Sequence, residues 1–195
     1  MRPKSWPTRL SYGRESISSE MNMCFLRSYL YTGNPEDYEK HSWVIEEKCV
    51  HPHLEIKKIQ KPHPLYYQKT GKGYVNYGVF AKEHIETGAE IGEYVGELCL
   101  RNGDYSIQSI FASLSYSEYR WFIKANNLFL IIDGQSVANE LAFINDYRGI
   151  SLKPNVEMKA IIHQGLMYYG YVTLSDIHKG EEILVNYGDM FLNKG

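Results

Sequence analysis

Asn139-Glu-Leu-Ala-Phe-Ile-Asn145-Asp146-Tyr147, running on through Arg148-Gly149 to Pro154-Asn155-Val156, decides how the rest of this chain is read. Its Ala-Phe-Ile run is apolar and delivers Asn145 and Asp146 into a loop containing Gly, Ser and Pro. Such a run is core that ends at a site, because an Asn amide offers donors on one side and an acceptor on the other to backbone or ligand. Two other stretches answer it: Glu93-Tyr94-Val95-Gly96-Glu97-Leu98 upstream and Ile183-Leu-Val-Asn-Tyr187-Gly188 downstream.

The totals narrow the classes. A length of 195 residues suits one well-buried domain with an appendage rather than two full domains. A net charge of −2 argues against the broad basic face that direct nucleic-acid binding needs. Cys24, Cys49 and Cys99 are odd in number and scattered, so a reducing compartment is expected rather than a disulfide framework. No run approaches the ~18 apolar residues of a membrane span, and the amino terminus lacks an apolar signal core, so no membrane partner is expected. The 17 Tyr are unusual, and Tyr suits places where a ring is buried while its hydroxyl meets a polar partner.

Along the chain, residues 1 to 20 have the composition of a loose arm. Met21 to Tyr31 is apolar enough to pack as a helix, and a second helix opens at Asn34 as N-cap, with Pro35 first and Glu36 and Asp37 in its positive turn, reaching about Lys48. Cys49, His51, His53 and His63 raise the question of zinc, but no second Cys stands at ligand spacing and two of the His flank Pro52, so no metal site is expected. Leu54 to Ile59 alternates weakly, as an edge strand would. Gly, Tyr and β-branched residues then take over, and the main domain is set at 65 to 195, after an amino-terminal extension of 1 to 64.

Within that domain, Tyr74 to Ala81, Ala89 to Leu98 and Phe129 to Ile132 read as strands. The stretch from 100 to 128 is the least legible, with a helix expected around Ser117 to Lys124 and a turn at Asn126-Asn127. Val156 to Ile162 and Leu166 to Leu174, joined through Gly165, read as a hairpin whose Val156, Met158, Ala160 and Ile162 share one face. An internal echo stands out: Ile85-x-x-Gly88-x-Glu90-Ile91 and Ile177-x-x-Gly180-x-Glu182-Ile183 are one turn-and-strand phrase. Each copy is followed by Tyr and Gly, Tyr94 with Gly96 and Tyr187 with Gly188, which suggests two like corners of a β-rich fold.

Together these motifs resemble the SET-domain family of protein lysine methyltransferases. Tyr77-Gly78-Val79-Phe80-Ala81 matches the family's Gly-containing first strand, and Tyr94-Val95-Gly96 its Tyr-x-Gly strand. Asn139 with Phe143-Ile144-Asn145 and Pro154-Asn155 matches its Asn-rich loop, and Tyr187 its terminal Tyr. The likeness covers about Tyr74 to Phe191, and it is the order of four elements that makes it specific. Departures are Asn76 for a second Gly, Ala142 for an Arg, Asp146 for a His, and the longer Tyr147 to Lys153 for a Ser-Cys pair. The zinc-binding cysteine clusters that flank many histone-methylating members have no counterpart, since no Cys follows Cys99.

The resemblance implies a mostly β fold of several small sheets in the β-clip manner of SET domains, with short helices and a partly helical amino-terminal segment ahead. It implies S-adenosylmethionine as cofactor, held by Asn76, Tyr77, Gly78, Asn145, Asp146 and Tyr187, with Asp146 bringing a carboxylate near a cationic ligand. Tyr187 and Tyr94 would be the catalytic residues, and Tyr94, Met158, Asp189 and Phe191 would contact substrate. The substrate would be a protein with an exposed lysine, a histone tail or another basic segment, attracted by Glu93, Glu97, Asp104, Asp133 and Asp146. That makes the chain a chromatin regulator, nuclear or cytoplasmic or, in a bacterial source, delivered into a host cell, with a homodimer through the amino-terminal segment as a further expectation. The alternative is a catalytically inactive SET-like peptide-binding or scaffold module, motivated by Asn76, Ala142 and Asp146.

Overall fold

Short strands pair into several small sheets rather than one large one among the described residues. A computed structural model describes residues 11–12, 53–67, 76–102, 120–125, 128–134, 137–163 and 166–188. The strands are β1 (Ser11–Tyr12), β2 (Leu54–Lys58), β3 (Tyr77–Ala81), β4 (Glu90–Glu93), β5 (Glu97–Asn102) and β6 (Arg120–Ala125). They continue with β7 (Leu128–Asp133), β8 (Val137–Ala138), β9 (Asn145–Asp146), β10 (Val156–His163), β11 (Leu166–Thr173) and β12 (Leu184–Val185). They form sheets β10-β11-β4 and β5-β7-β6, with the pairs β2-β3, β1-β8 and β12-β9, the last two parallel. Single 3-10 turns lie at Pro64–Tyr66 and Glu140–Phe143.

The expected mostly β architecture of several small sheets is therefore what forms among the described residues. The hairpin is present, β10 against β11 from Val156↔Thr173 to His163↔Leu166. Its inward face changes along its length: Val156 is fully buried and Met158 packs against the core, but Ala160 is exposed and Ile161, of opposite parity, is covered instead. The reason is local, because Ile161 lies over Gly170, whose missing side chain leaves the room.

Two expectations are corrected. The single strand over Ala89 to Leu98 is two, β4 and β5, in different sheets. The chain turns at Tyr94-Val95-Gly96, where a β-carbon on Gly96 would sit 2.8 Å from the Asp133 carbonyl. The helix expected around Ser117 to Lys124 is replaced over Arg120–Ala125 by β6, because β7 offers its whole edge in register, Arg120↔Asp133 to Ala125↔Leu128. Pairing of this kind overrides a weak helical pattern. Within the expected loose arm, Ser11–Tyr12 runs parallel to Val137–Ala138. The helices at 21–31 and 34–48 and the turn at Asn126-Asn127 lie outside the described residues.

The echoed phrases face each other. Ile85 N–H donates to the Ile177 carbonyl and Ile177 N–H to that of Ile85, both at 2.9 Å. Both turns end in a Gly of positive φ, 80° at Gly88 and 87° at Gly180, where a side chain would be strained. One turn closes on the end of β11, Gly88 N–H to Thr173 O, and the other on the end of β3, Gly180 N–H to Ala81 O. Ile177 and Ile183 are fully buried between them, in a core that also takes Leu54, Ile56, Val79, Ile91, Leu141, Phe143 and Ile144. Leu54 and Ile56 come from β2, which pairs with β3 along Leu54↔Ala81 to Lys58↔Tyr77.

Because Ile177 is sealed and Leu152 wholly exposed, Ile177→Ala is expected to cost about 2–5 kcal/mol. Leu152→Ala should stay within about 0.5 kcal/mol of the unaltered protein. Urea unfolding followed by tryptophan fluorescence measures both.

Candidate active site

The site is built where the apolar run ends. Asn139 caps the 3-10 turn, its Oδ1 accepting the Leu141 amide while its Nδ2 donates to the Glu93 carbonyl at 2.7 Å. Leu141, Ala142, Phe143 and Ile144 are all buried, so the turn is anchored and Asn145 emerges from it in a fixed direction. Asn145–Asp146 then pairs in parallel with Leu184–Val185, which brings the end of the chain's last described strand beside the loop. Consequently the Tyr187 hydroxyl donates to the Ile144 carbonyl at 2.5 Å, one residue from Asn145.

Asn145 spends both amide hydrogens inside the protein, one on the Tyr77 carbonyl at 3.0 Å and one on Glu182 Oε1 at 2.8 Å. Its Oδ1 is left as the group that can accept from a ligand. Asp146 turns its carboxylate inward. Oδ1 accepts from the Arg148 amide at 3.0 Å and Arg148 Nε at 2.7 Å, and Oδ2 from Arg148 Nη2 and the Tyr187 amide, both at 2.8 Å. Arg148 goes on to the Asn186 side chain and the Gly188 carbonyl. Burial pushes the Asp146 carboxyl up, but the hydrogen bonds from Arg148 and Tyr187 together outweigh it and hold the group below its ordinary value. The negative charge expected near a cationic ligand is thus met by Arg148.

The two echoed tyrosines meet the same ring. Trp121 stands edge-on to Tyr94, Tyr171 and Tyr187, with centroids 6.4, 6.0 and 6.4 Å away, and Tyr94 is edge-on to Tyr171 at 6.2 Å. Tyr94 is 2% exposed and Tyr171 1%. Burial pushes the Tyr171 hydroxyl well above its ordinary range, with Tyr94 and Tyr187 adding to the rise and a hydrogen bond from Trp121 opposing it. It remains a neutral phenol at any working pH. Trp121 and Tyr171 were not singled out from sequence. Tyr171 carried a signal, since it lies on the Tyr-rich strand opposite Met158, but Trp121 sat in the least legible stretch.

Of the other sequence-chosen residues, Met158 lies across from Tyr171 by register and packs on the core. Tyr77 sets its ring edge-on to Phe143 at 5.9 Å. Gly78 makes room for Glu182, whose carboxylate a β-carbon there would strike. Asn76 donates to the Leu65 carbonyl at 2.5 Å, tying the strand to the turn at Pro64–Tyr66. Asp189 and Phe191 lie outside the described residues, as do Cys49 and His51. His53 and His63 turn to different partners, Glu83 and Glu182, and no cluster of three metal-ligating side chains occurs among the described residues. A cavity of about 350 Å³ lined by Ile150, Lys153, Asn155, Asp176, Glu182 and Leu184, among others, touches neither Asn145 nor Tyr187.

The Asp146–Arg148 pair sets a pH dependence. A carboxyl whose folded value lies below its unfolded one stabilises fully above the unfolded value, and that contribution is lost as pH falls through the folded value. Asp146→Asn should therefore cost about 1.5–3 kcal/mol at pH 7, the range for hydrogen bonds to a charged group. It should also flatten the loss of stability below about pH 4, as urea midpoints taken across the acid range will show.

Comparison with known proteins points to one family. The SET-domain family profile matches residues 76–188, more than half of the chain. A variant-silencing SET domain-containing protein of Plasmodium falciparum is 34% identical over 141 residues, which are 71% of this chain and 5% of that protein. The candidate histone-lysine N-methyltransferase ASHH4 of Arabidopsis thaliana is 28% identical over 141 residues, 72% of this chain and 37% of that protein. The chain thus spans well under half of these curated relatives. Among solved structures, ATXR5 in complex with a mono-methylated histone H3.1 shares the fold, with a TM-score of 0.58 over 93% of this chain and 82% of that one, at 19% identity. A profile match over more than half of the chain, with a relative 34% identical over 71% of it, shows that the chain belongs to the SET-domain family.

Proposed function

We propose that this protein transfers methyl groups from S-adenosylmethionine to a lysine side chain of a protein, a histone tail or a similar basic segment. The observation that carries the reading is the convergence of Tyr187, hydrogen-bonded to the Ile144 carbonyl beside Asn145, with the ring cluster of Tyr94, Trp121 and Tyr171. The residues fit the cofactor's chemistry. Asn145 presents an acceptor, which suits an ammonium group, and Tyr77 and Gly78 frame the same corner. When bound, S-adenosylmethionine supplies an electrophilic methyl on a sulfonium, and the protein's part is to bring a neutral amine into line with it.

Alignment is the larger contribution, worth up to ~7–11 kcal/mol when a two-body encounter becomes a near-attack geometry. Aromatic walls disfavour the charged ammonium by desolvation, while their faces tolerate the methylated cation afterwards. The Tyr187 hydroxyl spends its hydrogen on Ile144, so its oxygen lone pairs form a fixed dipole for charge developing at the reaction centre. A basic substrate suits Glu93 and Asp133 near the Tyr94 corner. The similarity to a candidate histone-lysine N-methyltransferase, and the histone bound to ATXR5, support a histone substrate and hence a chromatin role in the nucleus.

The substitutions that suggested an inactive module are accommodated: Ala142 packs in the core, and Asn76 and Asp146 have partners. Tyr187→Phe should retain S-adenosylhomocysteine binding by calorimetry yet lower methyl transfer to mixed histones on the order of 10²-fold, since one oriented hydroxyl is lost. Neither heat nor label transfer from the unaltered protein would leave the scaffold reading; equal turnover in the variant would remove Tyr187 from the chemistry.

A further inference from the structure

We propose that His63, which precedes the family-matched residues 76–188, is a positioning residue of the cofactor site. Through Glu182 it decides which end of the Asn145 carboxamide faces a ligand. The inference rests on the S-adenosylmethionine reading for the ligand's identity, and on geometry alone for the relay.

The relay begins with a tautomer. The Leu65 backbone N–H donates to His63 Nδ1 at 3.1 Å, so that nitrogen offers a lone pair and the ring proton of the neutral imidazole lies on Nε2. Nε2 is 2.7 Å from Glu182 Oε2 and donates to it. The other carboxylate oxygen, Oε1, accepts from Asn145 Nδ2. The second Nδ2 hydrogen goes to the Tyr77 carbonyl.

Flipping the amide would set its Oδ1 against the Tyr77 carbonyl and the Glu182 carboxylate, two acceptors at hydrogen-bond distance. The orientation is therefore dictated chemically, provided Glu182 stays in place. Glu182 has a side chain only 7% exposed, and a carboxylate so enclosed needs donors on both oxygens. Asn145 supplies one and His63 the other.

The surrounding chain holds His63 at this task. It caps the Pro64–Tyr66 turn, and that turn is tied by the Asn76 side chain to the Leu65 carbonyl, while the Ile59 amide donates to the Asn76 carbonyl at 2.9 Å. Asn76 is the residue directly ahead of Tyr77, so the segment bearing His63 is latched to the strand that receives the Asn145 amide. Gly78, next along, leaves the gap into which Glu182 fits.

Three substitutions separate a relay from a simple turn cap. His63→Ala loses both contacts, His63→Gln can still donate to Glu182, and His63→Asn keeps only an acceptor for Leu65. Calorimetry with S-adenosylhomocysteine should show affinity falling about tenfold for the Ala and Asn variants, from one lost charge-assisted hydrogen bond, with most of it restored in the Gln variant. Full affinity in all three, or rescue by Asn and not Gln, overturns the proposal. NMR of the ligand-free protein gives a second readout. The Asn145 side-chain amide resonances should move in the Ala and Asn variants and hold in the Gln variant, and unmoved resonances in His63→Ala overturn the relay. If the unaltered protein binds no S-adenosylhomocysteine, the methyltransferase reading fails by itself, and these resonances still decide whether His63 orients Asn145.

Discussion

The parallel pairing of Asn145–Asp146 with Leu184–Val185 is the constraint on which the site depends. The strands are two residues each, too short to be stable as an isolated pair. They persist because both approaches are sealed: Leu141 to Ile144 are buried before one, and Ile183, Leu184 and Val185 are buried in and before the other. Asn155 closes the remaining edge, its Nδ2 donating to the Glu182 carbonyl and its Oδ1 accepting the Leu184 amide. With these backbones side by side, the Tyr187 hydroxyl reaches the Ile144 carbonyl without further adjustment.

Polar groups around this pairing are arranged so that little is left to solvent or chance. The Asp146 carboxylate takes the Tyr187 amide and an Arg148 fork, and Arg148 in turn holds the Gly188 carbonyl. Among the described residues no buried side-chain nitrogen or oxygen lacks a partner. A network satisfied to this degree is stiff, because moving one member exposes another group to an unpaired, low-dielectric setting. Stiffness is what alignment chemistry requires. Asp146 thereby serves the loop by a salt bridge, in a place where a different residue type would have to serve by other contacts.

The wealth of tyrosine has a spatial explanation. Tyr94, Tyr171 and Tyr187 come from a corner between two sheets, a strand of the hairpin and the segment just after the chain's last described strand, yet all three meet Trp121 edge-on. The echoed turns at Ile85 and Ile177 are hydrogen-bonded to each other, and each precedes a strand, β4 or β12, that is followed by one of the tyrosines meeting Trp121.

What the sequence determined by itself were local matters: the hairpin of β10 and β11, the tight turns ending in Gly88 and Gly180, the anchoring run before Asn145, and the family to which the ordered motifs belong. These depend on residue type and short spacing, and are written along the chain. The tertiary structure alone decided that Arg120–Ala125 is a strand, that the chain breaks at Tyr94, that Trp121 stands between the tyrosines, and that His63 reaches Glu182 across 119 positions of sequence. Sheet pairing, ring packing and long-range hydrogen bonds depend on which surfaces meet after collapse, and no periodicity within a single segment carries that information.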